Sequence, residues 1–237
     1  MKTLLAAAMA ALTPLSVIPG AADFLEAANP APVVKSGDTI YTDAAPQITD
    51  SISLSPTQKR RNICTLGIVL DQQHALTASH CGKMGQVVSD DHGPIGVIKG
   101  FQPGKDIAVI ALNGTRPVET TPVNPPLLKE GAKIWKQGHT TGHTEGTVLG
   151  GRETFNVHGR SKREDLGINL GSLDSLAEIV DPTPSLTTVA VPTDMCVAPG
   201  DSGSAAMVGD YAVGIVSAVS GDCTVGEKVV SAVVPLD

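Results

Sequence analysis

A chain of 237 residues, 41% of them hydrophobic, can bury a sizeable core, but it holds only one Trp, two Tyr and three Phe. Such a core must be Val, Ile, Leu and Ala, which favours close-packed sheet over a ring-lined pocket. The formal charge of −7, with no basic stripe and no interleaved aromatics, argues against a nucleic-acid partner.

Residues 1–22 carry one charge, Lys2, then the apolar run Leu4–Leu12, Pro14, Pro19 and the small-residue end Gly20-Ala21-Ala22. This reads as a secretory signal peptide. The apolar run is too short to span a bilayer and Pro14 interrupts it, so no stable membrane insertion is expected after cleavage. Secretion to the extracellular space is the expectation. Residues 23–62 are rich in Pro, Ala, Ser, Thr and Asp, with one strand-like piece at Thr39–Tyr41. They read as a short pro-segment or an N-terminal arm, with Lys59-Arg60-Arg61 as a solvated loop rather than a processing site. The remainder, 63–237, reads as one domain in which no period repeats.

With 25 Gly and 17 Pro between short apolar runs, that domain is expected to be many short strands joined by tight turns, without long helices. Two strands run from Cys64 to Cys81, and the second ends on His80 beside a half-cystine. That position fixes the backbone and leaves the ring free for chemistry. After a polar stretch, Asp106 opens the apolar strand Ile107-Ala108-Val109-Ile110; alone, it would read as a turn cap. Residues 113–130 form a proline-rich crossing between two halves. Residues 131–151 alternate again, and the glycines and threonines around His139 and His143 mark loop histidines rather than a helical zinc pair, so no metal site is expected. Residues 152–192 suggest outer strands and long loops, and two apolar strands, 211–219 and 228–234, close the chain.

Cys64, Cys81, Cys196 and Cys223 are an even set that suits two disulfides in an oxidising compartment. Three connectivities are open; the local pairing, Cys64 with Cys81 and Cys196 with Cys223, is preferred, each bond worth about 3–4 kcal/mol. The most pointed stretch is Cys196-Val197-Ala198-Pro199-Gly200-Asp201-Ser202-Gly203-Ser204, where a serine sits between glycines in a half-cystine loop. Ser202 reads as a nucleophile, which needs a base to take its proton and donors to hold the oxyanion it creates.

The order His80, Asp106, Ser202, within Cys-Thr-Leu-Gly, Thr-Ala-Ser-His-Cys, Asp-Ile-Ala, Lys-Gln-Gly-His-Thr-Thr-Gly, Gly-Asp-Ser-Gly and Gly-Ile-Val-Ser-Ala-Val-Ser-Gly-Asp-Cys, resembles the chymotrypsin-like serine peptidases. Within them the chain looks closest to the secreted bacterial streptogrisin and α-lytic-type branch, from about Ile40 to Val234. The resemblance implies an all-β fold of two six-stranded antiparallel Greek-key barrels, at about 63–118 and 130–237, with the active site in the cleft between them. It also implies a monomeric secreted endopeptidase that acts on polypeptides through an acyl-enzyme and needs no cofactor. His80, Asp106 and Ser202 would be catalytic, and the amides of Gly200 and Ser202 would form the oxyanion hole. Asp201 would be buried and paired with Lys136, which falls where bacterial relatives carry an arginine. Ser217, Ala218 and Val219 would wall the substrate pocket, and branched Val219 favours small or medium apolar residues. Asp194 falls by count near the position of a pocket-floor aspartate, which would favour basic ones. Val216 lies where glutamate-specific enzymes use a histidine. Ser204 stands where glycine is commonest, and neither a long pro-region nor Ile-Val-Gly-Gly is present. The alternative is a catalytically silent binding or surface-interaction protein of the same fold.

Overall fold

Among the described residues, aliphatic runs punctuated by glycine and proline form fourteen strands, and single 3-10 turns stand at Ser79–Cys81 and Pro125–Leu127. The computed structural model describes residues 32–43, 61–157 and 186–237, the last without 221, 222, 224, 225, 227 and 228. The expected signal segment 1–22, residues 23–31, the Lys59-Arg60 part of the basic triplet and residues 158–185 lie outside it.

The first sheet comprises β1 (Thr39–Asp43), β2 (Arg61–Thr65), β3 (Ile68–Val69), β4 (His74–Thr77), β5 (Val87–Asp90), β6 (Gly93–Phe101) and β7 (Ala108–Leu112). Its order is β2-β1-β5-β6-β7-β4-β3, all antiparallel. The second comprises β8 (Lys133–Gly138), β9 (Gly142–Thr147), β10 (Glu153–Val157), β11 (Leu186–Thr193), β12 (Ala205–Val208), β13 (Tyr211–Ser220) and β14 (Val230–Pro235). Its order is β10-β11-β14-β13-β12-β8-β9.

Each sheet counts seven strands, where six were expected per barrel. The two edges of the first sheet, β2 and β3, are consecutive halves of one bent segment: β2 pairs with β1, and three residues later β3 pairs with β4. The edges of the second, β9 and β10, are related in the same way. Here β9 pairs with β8, Val148 bridges Thr193, and β10 pairs with β11. Joining each pair of halves closes six strands on themselves, in the same order in both barrels, which removes free edges.

The first barrel starts earlier than residue 63. Ile40 and Thr42 of β1 are buried, and β1 bridges β2 and β5. Val34 is also buried, its N–H donating to Pro117 O at 2.9 Å and its O accepting from Glu119 N at 3.0 Å. Residues 34–43 thus belong to the folded domain. The core is aliphatic throughout, with Ile40, Leu66, Ile68, Ile98 and Ile110 in one cluster and Ile134, Val191, Met195, Val213 and Val233 in the other. Among the described residues no aromatic side chain is fully buried. Ala205, Met207, Ala212 and Ile215 of the second barrel join the first cluster, so one apolar layer runs across the contact between barrels.

Candidate active site

Strand β4 lies antiparallel to β7 with Thr77 opposite Ala108. The chain leaving β4 therefore runs beside the chain entering β7, and this register brings residues 79–80 to residue 106. His80 does not end the strand; it sits on the 3-10 turn Ser79–Cys81, and Asp106 precedes β7 by two residues. The tight turn supplies the change of direction: His80 Nδ1 meets Asp106 Oδ2 at 2.7 Å, while the His80 N–H donates to Asp106 Oδ1 at 3.0 Å. Cys81, next in chain, is bonded to Cys64 and anchors the turn to β2.

Asp106 is fully buried, while the His80 side chain is 20% exposed. Ser79 Oγ donates to Asp106 Oδ1 at 2.6 Å and Ser217 Oγ to Oδ2 at 2.5 Å. Burial opposes the charged carboxylate, but the hydrogen bond and charge of His80 and the two serine hydroxyls outweigh it and hold Asp106 well below the ordinary carboxylate range. Its own N–H donates to Thr188 Oγ1 on β11, at 3.1 Å.

Ser217 owes its aim to a bulge. The register of β13 against β14 shifts between Val216 and Ala218, so Ser217 is the extra residue, and a bulge re-aims the side chain it carries. Its hydroxyl reaches Asp106, and its carbonyl lies 3.5 Å from Ser202 Oγ. Ser202 makes no hydrogen bond to His80 in this geometry, its hydroxyl being turned to Ser217 O.

The turn 198–204 is held by its own polar groups. Asp201 N–H donates to Ala198 O at 2.9 Å, Ser204 N–H to Asp201 O at 3.0 Å, and Ser204 Oγ to the same carbonyl at 2.7 Å. That last bond gives the buried Ser204 side chain a partner where glycine would leave none. Gly200 has φ +106, and a Cβ there would come within 2.3 Å of Thr140 Oγ1, so only glycine fits. Among the described residues the amides of Gly200 and Ser202 have no hydrogen-bond partner. They are the unused donors beside Ser202 Oγ.

Beneath the turn, β8 alternates with Ile134, Lys136 and Gly138 facing inward. Lys136 therefore occupies a core position, and its ammonium lies 3.3 Å from Asp201 Oδ2, both side chains fully buried. Lys136 also donates to Thr141 Oγ1 at 2.5 Å and to Gly142 O at 2.9 Å. Asp201 accepts the N–H groups of Thr140 at 2.8 Å, Thr141 at 3.1 Å and Ala198 at 2.9 Å, and the Thr141 hydroxyl at 2.7 Å. Burial pushes Lys136 down against the pull of Asp201; on Asp201 burial is outweighed by Thr141, Ala198 and Lys136, which lower it. Gly138 is required here, since a Cβ would sit 2.5 Å from Asp201 Oδ1.

The remaining sequence candidates are less convergent. Ala218 and Val219 pair with Ala232 and Ser231 on β14, but their side chains lie outside the described residues. Asp194 is not brought to this cluster: it is exposed, its Oδ1 accepts from Thr147 N at 2.6 Å, and it shares no hydrogen bond with Ser202 or Ser217. His139 lies in the three-residue turn joining β8 to β9, whereas His143 stands on β9, its ring 5.2 Å from that of Trp135. The second disulfide joins Cys196 to Cys223.

Sequence reasoning passed over Ser79, Thr65, Thr140, Thr141 and Thr188. Thr65, fully buried on β2, donates its hydroxyl to Gly200 O at 2.9 Å and its N–H to Ser202 O at 2.9 Å. The Cys-Thr and His-Thr-Thr-Gly motifs contained three of these positions, but a hydroxyl's partner is not written in its neighbours.

The model of the trypsin family matches residues 40–235. Streptogrisin-A of Streptomyces griseus is 30% identical over 175 residues, 69% of this chain, and the chain spans about half of that relative's length. Among solved structures, Thermobifida fusca Protease A superposes with a TM-score of 0.59 at 19% identity over 87% of this chain and 93% of its own. Nocardiopsis Protease does so at 0.58 and 20%, over 87% and 94%. The matched range takes in both barrels and the turn around Ser202, and the chain belongs to the trypsin family.

Proposed function

We propose that the chain is a secreted serine endopeptidase that hydrolyses polypeptides and cleaves after small or medium apolar residues. The observation that carries the reading is the buried Asp106 carboxylate on His80 Nδ1 at 2.7 Å, beside a serine flanked by two unused amides. The carboxylate holds the imidazole with Nδ1 protonated, which leaves Nε2 to accept the Ser202 proton as Oγ attacks the substrate carbonyl. The amides of Gly200 and Ser202 take the oxyanion, one such donor being worth about 3 kcal/mol. His80 then returns the proton to the leaving amine, and water repeats the sequence on the acyl-enzyme. Asp201 and Lys136 have a structural part, holding the turn from below. Thermobifida fusca Protease A and Nocardiopsis Protease are proteases by their names, and the two disulfides and the signal-like residues 1–22 support export.

A digest of a peptide library by the secreted protein tests both claims. Cleavage after Ala, Val or Leu that Ser202→Ala abolishes is expected. No cleavage by folded wild type overturns the activity, and cleavage chiefly after Lys or Arg overturns the preference.

A further inference from the structure

The Ser202 turn contains a peptide unit whose direction decides whether one of its amides can be used at all. In a planar trans peptide the C=O and N–H point opposite ways, so fixing the Pro199 carbonyl fixes the Gly200 N–H. Nothing in the turn's own hydrogen bonds does this. Asp201 N–H and Ser204 N–H close the turn on the carbonyls of Ala198 and Asp201, and the Thr65 hydroxyl engages Gly200 O, which belongs to the next peptide unit. Gly200, with no side chain, offers little resistance to a rotation of the unit before it. Pro199 O has one hydrogen-bond partner among the described residues: Thr140 Oγ1, at 2.6 Å.

We propose that the Thr140 hydroxyl is a latch on the oxyanion hole. By engaging Pro199 O it keeps the Pro199–Gly200 peptide turned so that the Gly200 N–H remains available beside the amide of Ser202. The proposal rests on the peptidase reading and makes Thr140 a positioning residue, acting through Gly200 rather than on substrate. Main chain and side chain of Thr140 have separate duties: its N–H donates to Asp201 Oδ1 at 2.8 Å, and its hydroxyl to Pro199 O. The hairpin turn that presents it is itself braced by the first barrel. His139 N–H donates to Thr65 Oγ1 at 3.0 Å, and His139 Nδ1 lies 2.8 Å from Thr39 Oγ1 on β1. A residue of β1 thereby supports the loop that fixes the hole.

The test uses the full secreted protein with Thr140→Ala and Thr140→Ser. Both keep the main-chain bond to Asp201, and only serine keeps a hydroxyl. Four quantities are read: kcat and KM on a peptide p-nitroanilide, the affinity of a peptide boronic acid, and the affinity of the corresponding product peptide. The boronic acid binds by forming an Oγ–B bond with Ser202, whose proton passes to His80, and places a boron-bound oxygen in the hole; the product peptide samples ordinary contacts. With Thr140→Ala, kcat is expected to fall about three- to tenfold with KM little changed, the size of one hydrogen bond of ordinary strength. Boronate affinity is expected to fall in parallel, product affinity to stay level, and Thr140→Ser to restore both. If Thr140→Ala proves unfolded by its melting curve, Thr140→Val, which keeps the volume, takes its place in the same assays. Unchanged kcat, a rise in KM alone, or failure of serine to rescue overturns the latch while leaving the peptidase reading intact. Wild type that neither turns over substrate nor binds the boronic acid overturns the peptidase reading, and the latch with it.

Discussion

The two barrels share one strand order but contribute unlike chemistry, and each holds the other's groups in place. The first supplies His80 and Asp106 through simple register, the ends of two neighbouring strands meeting at one level. The second supplies Ser202 and the free amides through an irregular turn that needs a buried ion pair to keep its shape. Asp106 of the first is held by Ser217 and Thr188 of the second, and Gly200 and Ser202 of the second are held by Thr65 of the first. The site is thus a property of the docked pair, which neither barrel completes alone.

The largest expected effect breaks that pairing at its centre. His80→Ala and Ser202→Ala remove one partner from each barrel, and each should lower kcat by about 10⁴-fold or more. Because they act as one unit, the double variant should lose little beyond the worse single, as steady-state kinetics would reveal. Additive losses would mean that the barrels work independently. Asp106→Asn should cost about 10⁴-fold by stabilising the wrong tautomer, with the fold intact by circular dichroism.

The second effect sharpens the contrast between register and ion pair. Lys136→Met leaves Asp201 buried with its hydrogen-bond donors but no counter-charge, and should cost about 3 kcal/mol in urea unfolding. Adding Asp201→Asn to it should recover part of that loss. No first-barrel residue near the site should show this rescue, since none of them is a buried cation.

Acid reads both barrels at once. Asp106 and Asp201 are each held below the ordinary carboxylate range, so each contributes stability that is fully present above its unfolded value, about 3.9. That contribution is lost as pH falls toward the lowered native values, and the urea midpoint should drop steeply below about pH 4. Ser217→Ala removes one donor from Asp106 and should cost about 1–2 kcal/mol, with the acid loss smaller and complete at a higher pH. A pH profile identical to wild type would remove Ser217 from the account. The smallest effect is Ser204→Gly, about 1 kcal/mol, from one lost bond to Asp201 O and the added freedom of glycine.

How much of this was legible in the sequence follows from what each feature depends on. The aliphatic, strand-rich core and the order His80, Asp106, Ser202 rest on local composition and motif, and both could be read directly. Lys136 was legible from its motif alone; its inward place on β8 depends on the strands paired with it. Strand β1 was half hidden: Ile40 and Thr42 alternate inward only once Cys64 is opposite, and the surrounding Pro, Ser and Asp make the segment resemble a linker. The closure of each barrel was hidden, because it is a property of partners far along the chain. The hydrogen bond from Ser217 to Asp106 was hidden because the bulge that aims it depends on the register with β14. Asp194 illustrates counting from a landmark: its carboxylate is committed to Thr147 N, a contact that no spacing from Cys196 reveals.

The central claim, that groups from both barrels make Ser202 a nucleophile, is tested most directly by locating a covalent adduct. Wild type, His80→Ala and Ser202→Ala would be treated with a peptidyl phosphonate diester, and the modified residue found by mass spectrometry. The account predicts one adduct on wild-type Ser202, at least a hundredfold slower labelling in His80→Ala, and none in Ser202→Ala. Folded wild type that takes no label at Ser202, or labels as fast without His80, would contradict it.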